Sequence, residues 1–190
     1  MTDVREHDVV DLLLEQHNQI KILFSQVAAA QGARKRELFE DLVRLLAVHE
    51  SAEEQVVHPA ARRTIEGGDQ MVDSRLHEEH EAKQALSDLY ELGVDHPEFD
   101  TRLGMLAQDV ITHATHEENE EFLSLRRNVP ADKLVRMAGA VKAAEAMAPT
   151  RPHPAAGESA TANMLAGPPV AVFDRIRDAV RDWSRSHDDS

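Results

Sequence analysis

Two six-residue stretches carry the chemistry of this chain. His49-Glu50-Ser51-Ala52-Glu53-Glu54 returns as His113-Ala114-Thr115-His116-Glu117-Glu118, and both read H-x-x-x-E-E. Residues four apart share one face of an α-helix, one turn above each other. Each stretch can therefore offer an imidazole and a carboxylate to a common centre. A shorter echo precedes each one, Glu15-Gln16-His17 and Glu78-Glu79-His80. His17 and His80 are 63 residues apart and His49 and His113 are 64 apart, so the half-chain is written twice. Four histidines (17, 49, 80 and 113) and two glutamates (53 and 117) converging in a bundle suit a site for two metal ions. Either glutamate can bridge two ions through its two oxygens, and imidazole with carboxylate suits iron, manganese or zinc. Ordinary core histidines would explain the imidazoles but not the glutamates. An ionised carboxylate buried without a partner costs several kcal/mol, which a metal ion offsets.

His77 lies three residues before His80 and can share its face, whereas Leu14 holds the matching place in the first half. With His77 as a ligand, one metal would have three histidines and the other two, leaving an open position. His116 falls in line with Asp109 and Thr112, a polar face, and His58, nine residues past His49, is expected on the far side of its helix. His7, His96, His153 and His187 occupy terminal, turn or linker contexts. No histidine has a Glu three residues before it, so the ferritin-like Glu-x-x-His pattern is missing. His-Glu-x-x-His, G-x-S-x-G, the P-loop and G-x-G-x-x-G are missing too.

Helices must position these residues. Leu13, His17, Ile20, Phe24 and Val27 recur at helical steps, predicting a first helix from Asp8 to Ala30. Leu38, Leu42, Leu45, His49, Glu53 and Val56 mark a second, from Ala33 to about Ile65, which Pro59 should kink or open. A third, Asp69 to Leu92, has the least defined core face, and a fourth presents Leu103, Leu106, Val110, His113 and Glu117 in register. The expected organisation is all-α. It comprises an up-down-up-down four-helix bundle over 1–130, an additional helix over 131–148, a Pro-rich linker over 149–169 and an amphipathic helix with tail over 170–190.

The 190 residues carry a formal charge of −14, which argues against nucleic acid and anionic membrane surfaces. Cysteine is absent, so any metal is held by imidazole and carboxylate. No run reaches the roughly 18 apolar residues of a membrane span, and the acidic start is not a signal peptide. A cytoplasmic protein, monomer or homodimer, is expected.

On His17, His49-x-x-x-Glu53-Glu54, the His-x-x-His-Glu run at 77–81 and His113-x-x-x-Glu117-Glu118, the chain resembles the hemerythrin-like family, HHE cation-binding branch, over roughly residues 8 to 127. The resemblance implies two iron ions in a non-haem, oxo- or hydroxo-bridged di-iron centre. In it His17, His49, His80 and His113 are terminal ligands and Glu53 and Glu117 bridge. It also implies O2, H2O2 or NO as small ligand. The expected role is oxidative-stress protection by catalase-like H2O2 decomposition, or small-gas binding. A sensor signalling through the C-terminal helix, or a bundle merely held together by metal, are the alternatives. Spacing departs from the hemerythrins on the third helix, where their two histidines are four apart and these are three apart.

Overall fold

In a computed structural model, residues 7–147 are described. The linker and tail helix expected at 149–169 and 170–190, with His153 and His187, lie outside the described residues.

Helix α1 (Val9–Ala29) starts on a reciprocal cap. The Asp11 backbone N–H donates to Asp8 Oδ1 at 2.9 Å, and the Asp8 N–H donates to Asp11 Oδ2 at 3.2 Å. Helix α2 (Gly32–Ala52) runs without a break into a π-helical turn, π1 (Glu53–Val57), and then α3 (His58–Thr64). Helix α4 (Gly68–Leu92) follows a tight turn in which Gly67 sits at φ 74°. Gly68 opens α4 against α3 so closely that a Cβ there would lie 2.5 Å from the Ala61 carbonyl oxygen. Helix α5 (Phe99–His116), the turn π2 (Glu117–Glu121) and α6 (Phe122–Asn128) form the fourth rod. Helix α7 (Ala131–Met147) completes the described residues.

Cross-helix pairs give the topology. Asp8 meets Arg126 and His17 meets Glu118; His58 meets Glu79 and Arg62 meets Asp73; Arg75 meets Glu120 and His113 meets Glu78. In each set the numbers rise on one rod as they fall on the other, so neighbouring rods are antiparallel. The expected up-down-up-down four-helix bundle is the observed fold. Two apolar clusters fill it. One gathers Ile20, Phe24, Val27, Leu42, Leu86, Leu89, Phe99 and Leu103. The other gathers Val10, Leu13, Ala61, Val72, Phe122 and Leu125 with Leu134, Met137 and Val141 of α7, which packs on α1 and α2. Between the clusters, each rod contributes a polar layer.

The opening expected at Pro59 is real, but it takes the form of π1, in the turn before the proline, and the helix then continues. Pro59 lacks an N–H and crowds the carbonyl four residues earlier, which favours a wider turn there. π2 forms at the matching place with Leu123 where the first half has Pro59, so the proline assists the wide turn and is not required for it.

Candidate metal centre

The polar layer is built from the rods inward. α1 supplies His17, the α2–π1 junction supplies His49 and Glu53, α4 supplies Glu79, and the α5–π2 junction supplies His113 and Glu117. Their ligand atoms form two groups that share a pair of carboxylates. His17, His49, Glu53 and Glu117 make one; Glu53, Glu79, His113 and Glu117 make the other, with all atoms of a group within 4.8 Å of one another. Glu53 and Glu117 are fully buried, and their four oxygens lack a well-formed hydrogen bond, the nearest imidazole nitrogens standing 3.2–3.4 Å away. Orphaned buried carboxylates are rare and costly. Here they lie where each could span two cations.

The imidazoles are oriented for the same purpose. His49 Nδ1 donates to Gln16 Oε1, His17 Nδ1 to Glu118 Oε1 and His113 Nδ1 to Glu78 Oε2, each at 2.8 Å. A proton held on Nδ1 leaves the Nε2 lone pair as the inward-facing ligand atom, the usual arrangement for metal-binding histidine. His17 Nε2 and His49 Nε2 then face each other at 3.0 Å, and His17 Nε2 is 3.3 Å from Glu117 Oε2. His49 Nε2 is 3.4 Å from Glu53 Oε2, and His113 Nε2 is 3.2 Å from Glu117 Oε1. The residues present fit two cations by their donor types, burial and orphaned oxygens.

Electrostatics without a cation are strained. Burial, then the neighbouring Glu117, push the Glu53 carboxyl well above its ordinary range. Burial, then His17, push His49 well below the usual imidazole value. Glu117 goes the other way: burial opposes ionisation, but His113 and His17 together hold it well down. Burial, with the Glu79 carboxylate adding to it, raises Glu50 to about 8 against the pull of Lys83.

A pocket lined by Ile20, Leu46, Val110 and Ile111 reaches His17, His49, Glu79 and His113. Lys21 and Glu50 share its wall with these aliphatic side chains.

Residues 8–123 match the hemerythrin HHE cation-binding domain. The chain belongs to that family. A DNA nickase from a Nostoc species is 28% identical to this HHE protein over 145 residues, which is 76% of this chain but only 41% of that relative's length. An uncharacterised hemerythrin-like protein of Schizosaccharomyces pombe is 23% identical over 177 residues, covering 92% of this chain and 87% of its own. Among solved structures, a hemerythrin HHE cation-binding domain-containing protein of Mycobacterium kansasii superposes with a TM-score of 0.65 at 18% identity, covering 72% of this chain and 84% of that one. That likeness concerns the fold. Among the described residues of this HHE protein, no helix is long and apolar enough to cross a membrane.

Of the residues expected at the centre, the structure brings together His17, His49, Glu53, His113 and Glu117. His77 and His80 lie outside it, on the exposed face of α4; the His77 side chain is 73% exposed and pairs with Glu81 at 3.6 Å. The buried face of α4 runs through Val72, Arg75, Glu79, Leu86 and Leu89, so Glu79 points inward and His80 is turned about 100° away. A signal for this was present in the sequence. Glu79 and Lys83 are four apart, as are His17 and Lys21, and Lys83 pairs with Glu54 as Lys21 pairs with Glu118. The repeat between α1 and α4 is therefore 62 residues, and the Glu-Gln-His/Glu-Glu-His echo is one residue out of register.

His58 also departs from expectation. Nine α-helical residues past His49 would put it about 180° away. The wide turn π1 absorbs one residue and returns it to the interior, where it is 2% exposed. There His58 Nε2 lies 2.7 Å from Glu79 Oε1 and Nδ1 lies 3.0 Å from Glu121 Oε1. Burial opposes its protonation, but those two carboxylates prevail and lift it to about 10. His116 is on the polar face as expected, 3.1 Å from Glu78 Oε1.

Proposed function

We propose that this HHE protein holds two iron ions and uses them to bind and turn over a small oxidant. Glu53 and Glu117 would bridge, His17 and His49 would complete one position, and Glu79 and His113 the other. The observation that carries this reading is the pair of fully buried bridging candidates whose oxygens lack a well-formed hydrogen bond. Two adjacent irons supply a two-electron couple suited to O2, H2O2 or NO. The chain's own residues do the rest. Gln16, Glu118 and Glu78 fix the imidazole tautomers, and Ile20, Leu46, Val110 and Ile111 line the pocket that reaches those imidazoles.

The favoured activity is catalase-like: two H2O2 give two H2O and one O2, one peroxide being oxidised as the other is reduced. This balance needs no electron donor and no organic substrate pocket. Small-gas binding is the same site without turnover. The Nostoc relative is named a DNA nickase, but a net charge of −14 opposes the phosphate contacts that hold DNA, and we do not extend that activity to this chain.

An oxygen electrode tests the proposal. Iron-loaded protein should evolve O2 on addition of H2O2, and Glu117→Ala should abolish it. No O2 evolution, together with no optical change on exposure to O2, H2O2 or NO, refutes it.

A further inference from the structure

Residues of the two halves correspond at a spacing of 62 from α1 to α4 and of 64 from the second rod to the fourth. Val10 corresponds to Val72, Phe24 to Leu86 and Val27 to Leu89, all buried. Function follows the same symmetry. Gln16 holds His49 Nδ1 as Glu78 holds His113 Nδ1, and Lys21 reaches Glu118 as Lys83 reaches Glu54. Among the places where the halves differ, three lie together around the ligands. His17 faces Glu79 across the pseudo-two-fold, Phe122 corresponds to His58, and Val57 corresponds to Glu121.

These three differences are mutually consistent. On one side His17 stacks on Phe122, ring centroids 5.6 Å apart at 18°, an apolar backing for an imidazole. On the other, Glu79 is held by His58 at 2.7 Å, and His58 by Glu121 at 3.0 Å, all three buried. That string uses one oxygen of Glu79 and leaves Oε2 without a hydrogen bond, 3.7 Å from Lys83 Nζ. A carboxylate has replaced an imidazole at a single ligand place, and its surroundings have changed with it.

Resting on the two-metal reading above, we propose that the two positions are chemically unequal and select different metals. The position between His17 and His49 has two imidazoles and two shared carboxylates, and takes iron. The position between Glu79 and His113 has one imidazole and three carboxylates, and takes manganese(II) in competition with iron when both are supplied, so the di-iron form proposed above is the one loaded with iron alone. Exchanging a neutral nitrogen donor for an anionic oxygen donor favours the harder ion, because carboxylate suits manganese whereas imidazole favours the later metals. His58 acts as a positioning residue, orienting Glu79 from behind and keeping one of its oxygens for the metal.

The full chain, produced with iron and manganese both supplied, would be crystallised and anomalous maps recorded at the two absorption edges. Iron alone beside His17 and His49, with manganese beside Glu79 and His113, is expected. The same iron-to-manganese ratio at both positions overturns the inference and leaves the two-metal reading standing. No metal at either position overturns both. Independently, E79H should keep two metals per chain while its bulk manganese-to-iron ratio falls several-fold below wild type. An unchanged ratio in a variant of wild-type helicity contradicts the assignment of Glu79.

Discussion

Replacing Glu53 with Gln should move the stability of the protein in opposite directions with and without metal. Glu53 is fully buried, and in the metal-free protein its carboxyl is held well above 4.5, by burial first and Glu117 next. At pH values between the unfolded and the folded pKa, the folded state therefore holds a proton that the unfolded state has released. A carboxylic acid raised on folding loses stability as pH climbs from its unfolded value towards its folded one. Between those two values the loss grows by about 1.4 kcal/mol per pH unit. Gln keeps the shape and removes the titration, so chelator-treated Glu53→Gln should melt above wild type, by about 2–4 °C for each kcal/mol that the titration costs. The gap should close as pH falls towards 4.5. With metal the order reverses in kind. Losing a ligand shared by both positions should weaken binding at least about 100-fold, the upper range for residues that merely orient a ligand. The metal-induced rise in Tm should then shrink by about 2.7 kcal/mol or more, roughly 5–10 °C. Calorimetry with and without metal reads both effects. A metal-free Glu53→Gln protein less stable than metal-free wild type would refute the reasoning, because Glu53 would then be a structural hydrogen-bonding residue.

Three further outcomes follow from the geometry. His113→Ala should empty the position it shares with Glu79, whereas His80→Ala and His116→Ala should leave metal content unchanged; loss of metal in His80→Ala would show that α4 presents its other face. Gly68→Ala should destabilise by about 1–3 kcal/mol in urea unfolding, because its Cβ would meet the Ala61 carbonyl at 2.5 Å. Asp8→Ala should cost about 1 kcal/mol, since it removes both the cap of α1 and a partner of Arg126, and an unchanged midpoint would contradict that role.

Much of this molecule can be read from its residues. Apolar steps of three and four mark the four rods, and H-x-x-x-E twice in one register places His49, Glu53, His113 and Glu117 together because the helices carrying them are regular up to those positions. Legibility ends where regularity does. His58 faces away only under uninterrupted α-helical geometry; one wide turn, with no cost visible in composition, returns it to the interior. Helix α4 misleads for another reason. His77 and His80 are conspicuous ligand types, and its core stripe is interrupted by Arg75 and Glu79, so hydrophobicity alone does not fix its face. Only the lysine four residues past each inward ligand, Lys21 and Lys83, reveals the register. Residues that orient the ligands, Gln16, Glu78 and Glu118, are ordinary polar side chains until their partners are seen.

The most direct test of the whole account is the metal content of natively purified protein, with its near-ultraviolet spectrum recorded before and after peroxide. About two metal ions per chain, iron among them, with a spectrum that responds to peroxide, is the expected result. A single zinc or no metal, with no spectral response, would contradict it.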